Sequence, residues 1–254
     1  MNERMRCALD GAELTALDPR LYIQDIEEQV KMGVRTAERP GYGLTLVGKP
    51  EREALNVRVR FVIKEKNRTE RTRIISQVNG WAREGWLTVS TRPEQRLYVR
   101  CTQPADSQAL RLNGEMTLGF SAYDEGCWQD QYPIGASASG KSGIIRLRPR
   151  GNRKCRLEAQ IMNNSDGTVN SLALRTDGGQ MAFENLGLAA GQKMRLYYDG
   201  RRLLHAEIEN RTVLECRKAE SVDDLLLDPG EENAVEFMAD GACGVTLRTR
   251  GEYE

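Results

Sequence analysis

Most of the chain alternates apolar and polar residues with a period of two, and no other feature limits its possible folds so strongly. Val57, Val59, Phe61 and Ile63 alternate with Arg58, Arg60 and Lys64, and Leu87 and Val89 with Thr88 and Ser90. Leu97, Val99 and Cys101 make a third such face, and Met116, Leu118, Phe120 and Ala122 a fourth. Successive side chains on a strand point to opposite sides, so each run has one apolar and one wet face. Antiparallel sheets covered on one side read this way. The rhythm resumes later in Ile145–Leu147, Cys155–Ile161, Leu172–Leu174, Met194–Tyr198, Leu204–Ile208, Val235–Phe237 and Val245–Leu247. Turn signals separate these runs, among them Asp177-Gly178-Gly179, Asp199-Gly200 and Pro229-Gly230. Asp199-Gly200 reads as a two-residue hairpin turn, and short strands at such spacing predict a β-sandwich.

One stretch breaks the period. Ile74, Ile75, Val78, Trp81 and Ala82 fall on one stripe of a helix between Thr69 and Arg83, and are the residues expected to pack on the sheet of the first half. Asn67 with Glu70 fits a capping box, and Gly85 is the expected stop. Residues 131–143, rich in Gly and Ser, read as a linker. The 254 residues then divide into a first β domain with one helix, 1–130, and an all-β domain, 144–254.

Composition removes several function classes. Lys+Arg and Asp+Glu both number 37, a balance unlike that of a protein built to grip phosphate backbones. Mean hydropathy is −0.58, yet 39% of residues are hydrophobic, enough for a packed core. No apolar run approaches the roughly 18 residues of a membrane span, and no hydrophobic stretch behind Met1–Arg6 suggests a signal peptide. The six cysteines show no C-x-x-C spacing, so free thiols and no metal centre are expected.

The motifs that suggest chemistry lack their context. Gly135 to Ser142 spells a literal G-x-x-x-x-G-K-S string, but a phosphate-binding loop needs a buried strand before it and a helix after it. His205, the one histidine, lies on an alternating strand with no nucleophile motif beside it. Asp223-Asp224 and Glu231-Glu232 sit in polar stretches that read as solvated surface. Arg146, Arg148, Arg150, Arg153 and Lys154 read as a solvated face or a contact with an acidic partner. No catalytic residue, metal ligand or cofactor site is therefore expected.

The order of these pieces resembles the distal tail proteins of long, flexible-tailed bacteriophages. The first half matches in its opening strand Arg6–Gly11, a long hairpin from Leu21 to Val30, the glycine turn Arg39–Gly43 and the strand Val57–Ile63. The helix, Leu87–Pro93, Arg96–Val99 and Met116–Asp124 follow in the same order. In the second half, Gly187–Asp199, Leu225–Gly230 with Asn233, and Arg248–Tyr253 resemble the strand, turn and closing tail of the family's galectin-like sandwich. Two departures stand out: Glu125-Gly126, not proline, follows Asp124, and the final turn has an extra residue, Glu231 or Glu232.

The resemblance implies a mainly β fold. A first sandwich or split-barrel-like domain with one helix and a long hairpin would precede a galectin-like β-sandwich. It also implies a structural virion protein, assembled in the host cytoplasm, that forms a homo-hexameric ring at the tail tip. The tail tube would bind one side, and the hub or tail-associated protein and receptor-binding proteins the other. DNA would pass through without specific binding. On this reading Ile23, Asp25, Glu27 and Gln29 are the face of the hairpin expected to line the channel, with Tyr22, Ile26 and Val30 packing against the body or a neighbour. Two alternatives remain: a tube or baseplate protein of a related contractile or prophage-derived particle, and a carbohydrate-binding sandwich using Tyr197 and Tyr198.

Overall fold

The structure, a computed structural model, describes residues 5–33, 36–39, 43–46, 51–106, 115–123 and 126–254, with backbone alone for 32–33, 36–39, 43–46 and 51–53. The turn at Pro40–Tyr42 and the departure at Asp124–Glu125 lie outside the described residues. The chain forms two compact units, Met1–Trp128 and Gln129–Glu254.

In chain order the first unit contains β1 (Cys7–Leu9), β2 (Ala12–Glu13), β3 (Leu21–Gly33), β4 (Thr36–Arg39), β5 (Gly43–Leu46) and β6 (Glu51–Ile63). Then come α1 (Arg68–Trp81), β7 (Glu84–Val89), β8 (Arg92–Gln103) and β9 (Glu115–Ala122). A short β10 (Trp128–Asp130) begins on the unit's last residue. Seven strands join in the antiparallel order β2-β1-β7-β8-β9-β6-β3, and β4 pairs with β5. Val57, Val59, Phe61, Leu118, Phe120, Leu97 and Val99 make one buried face, as their alternation demands.

Helix α1 lies on that face. Ile74, Ile75 and Val78 are buried, Ala82 just past the helix end is buried too, and Trp81 meets Phe120 edge-on at 6.2 Å. Asn67 caps the helix, its Oδ1 accepting from the Thr69 and Glu70 amides. The reciprocal half of the box is absent: Glu65 Oε1 takes the Asn67 amide at 2.8 Å, while Glu70 faces Arg20 and Arg73. Gly85 does not stop the helix, which ends at Trp81; it sits inside β7, where a Cβ would stand 2.3 Å from the Asp10 carboxylate. That close approach lets Asp10 Oδ1 accept from the Trp86 amide at 2.9 Å.

The second unit continues with β11 (Ile134–Leu147), β12 (Cys155–Asn163), β13 (Leu172–Thr176), β14 (Gly179–Phe183), β15 (Lys193–Tyr198) and β16 (Leu204–Ile208). It closes with β17 (Arg211–Thr212), β18 (Leu226–Leu227), β19 (Asn233–Thr249) and β20 (Glu252–Tyr253). The main path is β14-β13-β19-β12-β15-β16-β17, with β11 on the other side of β19. Strand β19 pairs with β13 through Glu236–Ala239 and with β12 through Cys243–Thr249, so its two halves serve different parts of the unit. Leu157, Ile161, Leu174, Phe183, Leu196, Phe237, Val245 and Leu247 are in its core.

Two expectations need correction here. The predicted linker, 131–143, is mostly strand: β11 pairs with β19 in register over Ile134–Leu147, with a bulge between Gly140 and Ser142. Ala136 and Ala138 alternate with Ser137 and Ser139 and pair with Leu247 and Val245, so small residues still satisfy the period of two. The division falls at Trp128/Gln129, and a domain begun at 144 would cut through β11. The second correction concerns turns. Tyr198 pairs with Leu204, so five residues, 199–203, connect β15 to β16, with Arg202 at φ 66°. Two-residue hairpins lie instead at Asp177-Gly178, between the paired Thr176 and Gly179, and at Glu209-Asn210, between the paired Ile208 and Arg211.

Candidate functional site

Strand β3, 13 residues long, is an edge of the first unit's sheet and pairs with β6 from Leu21 to Gly33, making the long hairpin. Its register carries the main surprise. Ile23 pairs with Phe61 and Asp25 with Arg60, so Gln24 is an extra residue, a β-bulge. Before the bulge, Leu21 and Ile23 face the core side with Ile63 and Phe61. After it, Ile26, Glu28 and Val30 face that side with Val59, Val57 and Leu55. Asp25, Glu27 and Gln29 share the opposite face with Tyr22. Ile23 is therefore not on the face proposed for it. Tyr22 does not turn inward but carries Lys64 over its ring, and Val30 is half exposed.

The acidic character expected of that face is neutralised by its neighbours. Arg60 forms ion pairs with Asp25 and, at 2.9 Å, with Glu27, while Arg58 stands opposite Glu27. The Arg60 hydrogen bond holds the Asp25 carboxyl below its ordinary range. Further along the same face, Trp86 pairs with Tyr98, and Tyr98 lies 5.7 Å from Tyr123. Both tyrosine hydroxyls donate to Glu84, and Arg96 stacks on Trp86 at 3.8 Å. Arginine with aromatic rings on one face is the composition enriched at protein interfaces.

The motifs that suggested chemistry make contacts within the fold. The G-x-x-x-x-G-K-S string is extended within β11, where Ser137 Oγ meets Thr246 Oγ1 at 2.9 Å, so it offers no loop-to-helix cradle. His205 stacks on Tyr197 (5.1 Å, 12° between planes), with Nε2 3.3 Å from Asp199. That stacking and the Tyr197 hydroxyl donated to Glu207 occupy the ring a sugar would need, and Arg156 lies over Tyr198. Asp223 and Asp224 pair with Arg217 and Arg156. The basic cluster finds its acidic partner within its own chain: Arg146 pairs with Glu232, Lys154 with Asp228, and Arg148 donates to the Gly230 carbonyl at 2.7 Å. Asn233 holds that turn, donating to the Asp228 and Glu231 carbonyls. Burial pushes the Cys7 thiol up to about 12 and Cys155 up to about 11, which makes both poor nucleophiles. Among the described residues no group of acidic, histidine or cysteine side chains is placed to hold a metal, and no helix is long and apolar enough to cross a membrane.

These observations define a class: an antiparallel β protein of two units, the first with a helix on its sheet and a long edge hairpin. No protein-family model matches the chain, and no curated protein matches it in sequence. Its fold is similar to that of the SPP1 Dit protein, described as a paradigm of the hub adsorption apparatus in phages infecting Gram-positive hosts. That match has a TM-score of 0.66 at 12% identity and covers 97% of this chain and 98% of the other. It is also similar to a chain of the phage P2 baseplate in its activated conformation with calcium (TM-score 0.53, 8% identity, 99% and 98% covered).

Proposed function

We propose that this chain is a structural protein of a phage tail, a hub that joins the tail tube to the tail-tip apparatus. The carrying observation is that one hub-protein structure matches both units end to end, with almost nothing left over on either chain. The extended G-x-x-x-x-G-K-S string and the Tyr197 stacking and Asp199 contact of His205 fit a scaffold reading. Six copies would form a ring through the first unit, with the tube on one side and hub and receptor-binding proteins on the other. In this reading the sheet face bearing Asp25, Glu27, Gln29, Arg58 and Arg60 lines the channel. Its opposed charges are balanced locally, so it gives passing DNA neither a strong attraction nor a strong barrier. Sedimentation equilibrium of the purified chain tests the ring. A species of six times the 28.6 kDa chain mass is expected, and a monomer at high concentration contradicts it.

A further inference from the structure

The core side of β3 carries one residue that alternation would make apolar but which is charged: Glu28, opposite Val57. Its carboxylate accepts from Arg92 Nε at 3.0 Å to each oxygen, and from the indole Nε1 of Trp128 at 3.1 Å. The Arg92 guanidinium also lies over the Trp128 ring at 5.2 Å and donates to Gln95. The carboxylate, the guanidinium and the indole each touch the other two. They come from three separate segments: the hairpin, the start of β8, and the end of the first unit. Trp128 is fully buried, whereas Glu28 and Arg92 retain 23% and 30% side-chain exposure, and a groove of about 570 Å³ opens beside the pair.

The place matters as much as the bonds. β6 has β9 as its other neighbour only as far as Asn56, which pairs with Ser121 and, across the hairpin, with Gln29. Among the described residues, from Val30 and Leu55 outward the hairpin strands pair only with each other. Glu28 is thus at the root of the projecting hairpin, and Trp128 is the residue before the second unit begins. A hydrophobic side chain at 28 would pack against Val57 without needing any partner. A charged pair there gives up that simplicity for a fixed arrangement of named partners.

We propose that Glu28, Arg92 and Trp128 form a clasp that couples the projecting part of the hairpin to the point where the chain leaves the first unit. Loosening either end removes a hydrogen-bond partner from the shared carboxylate and so loosens the other. This coupling does not depend on the ring or on any partner.

Hydrogen exchange on the full chain tests it. In Glu28→Gln, amides of 29–33 and 51–55 and those of 127–130 should together exchange about tenfold faster, the scale of one lost charge-assisted hydrogen bond. Amides of α1 and β9 should keep their rates. Trp128→Phe keeps a ring beneath Arg92 but removes the indole N–H, and should give the same paired acceleration to a smaller extent. If Glu28→Gln fails to fold, Trp128→Phe decides alone. Acceleration at one end only, no acceleration, or a uniform rise across the unit overturns the clasp.

Discussion

Ile23 and Asp25, two positions apart on one strand, point to opposite faces of the sheet because Gln24 is inserted between them. The insertion turns the outer half of the hairpin so that Ile26 and Glu28 face the core side and Asp25 and Glu27 meet Arg60. Deleting Gln24 should remove the bulge and leave the pairs as they are, with Ile23 and Asp25 now consecutive opposite Phe61 and Arg60 and still on opposite faces. The expected result is a chain that still folds, with a modest shift of the urea midpoint from the lost local twist; loss of folding, as a slip that turned every outer side chain over would cause, would contradict the bulge.

Arg60 sets the charge of that face. In Arg60→Gln the Asp25 carboxyl should titrate closer to the ordinary value of about 3.9, followed by NMR. Because the folded value is depressed in the native chain, the pair's contribution is present above the unfolded value and fades as pH falls through the folded one. Both groups are well exposed, so unfolding midpoints should move little.

Asp18 should matter more. It is 5% exposed and binds Arg20 through both oxygens, at 2.8 Å each, and Arg73 at 3.3 Å, tying the loop before β3 to α1. The Arg20 hydrogen bond holds its carboxyl far below the usual carboxylate range. Asp18→Asn should cost about 2 kcal/mol near neutral pH, the scale of hydrogen bonds to charged groups. The native chain should lose stability on acidification below about pH 4 more steeply than the variant. Equal slopes would show that Asp18 is not held in this way.

Much of this fold can be read from the sequence, for identifiable reasons. The alternation of Val57, Val59, Phe61 and Ile63 and the stripe from Ile74 to Ala82 follow from periods that burial imposes on any strand or helix. The bulge leaves a fainter trace: the apolar phase of Leu21 and Ile23 is out of step with Ile26. β11 is not legible because Gly and Ser at alternate positions mimic a flexible linker, and the deciding partner, β19, lies about a hundred residues later in the chain. The Glu28 clasp leaves no sequence signal, since its members are brought together by three different segments.

The status of β11 can be checked by truncation. A fragment of 129–254 should unfold cooperatively, whereas 144–254 lacks all of Ile134–Gly140, the segment paired with Cys243–Thr249, and should be unfolded or aggregate. Equal stability of the two fragments would return 131–143 to the role of linker.

Gly151 has φ 109°, and a Cβ there would stand 2.2 Å from the Glu252 carbonyl oxygen. Gly151→Ala combines backbone strain with a clash against main chain that cannot rotate away. It should cost at least about 2 kcal/mol by thermal or chemical unfolding. A neutral substitution would contradict the packing of the closing strand against this turn.

The central claim is that this chain is a tail-hub protein that assembles through its first unit. Negative-stain electron microscopy of the purified full chain tests it most directly. The account predicts closed six-fold rings with a central channel; particles of single-chain size at every concentration tried would contradict it.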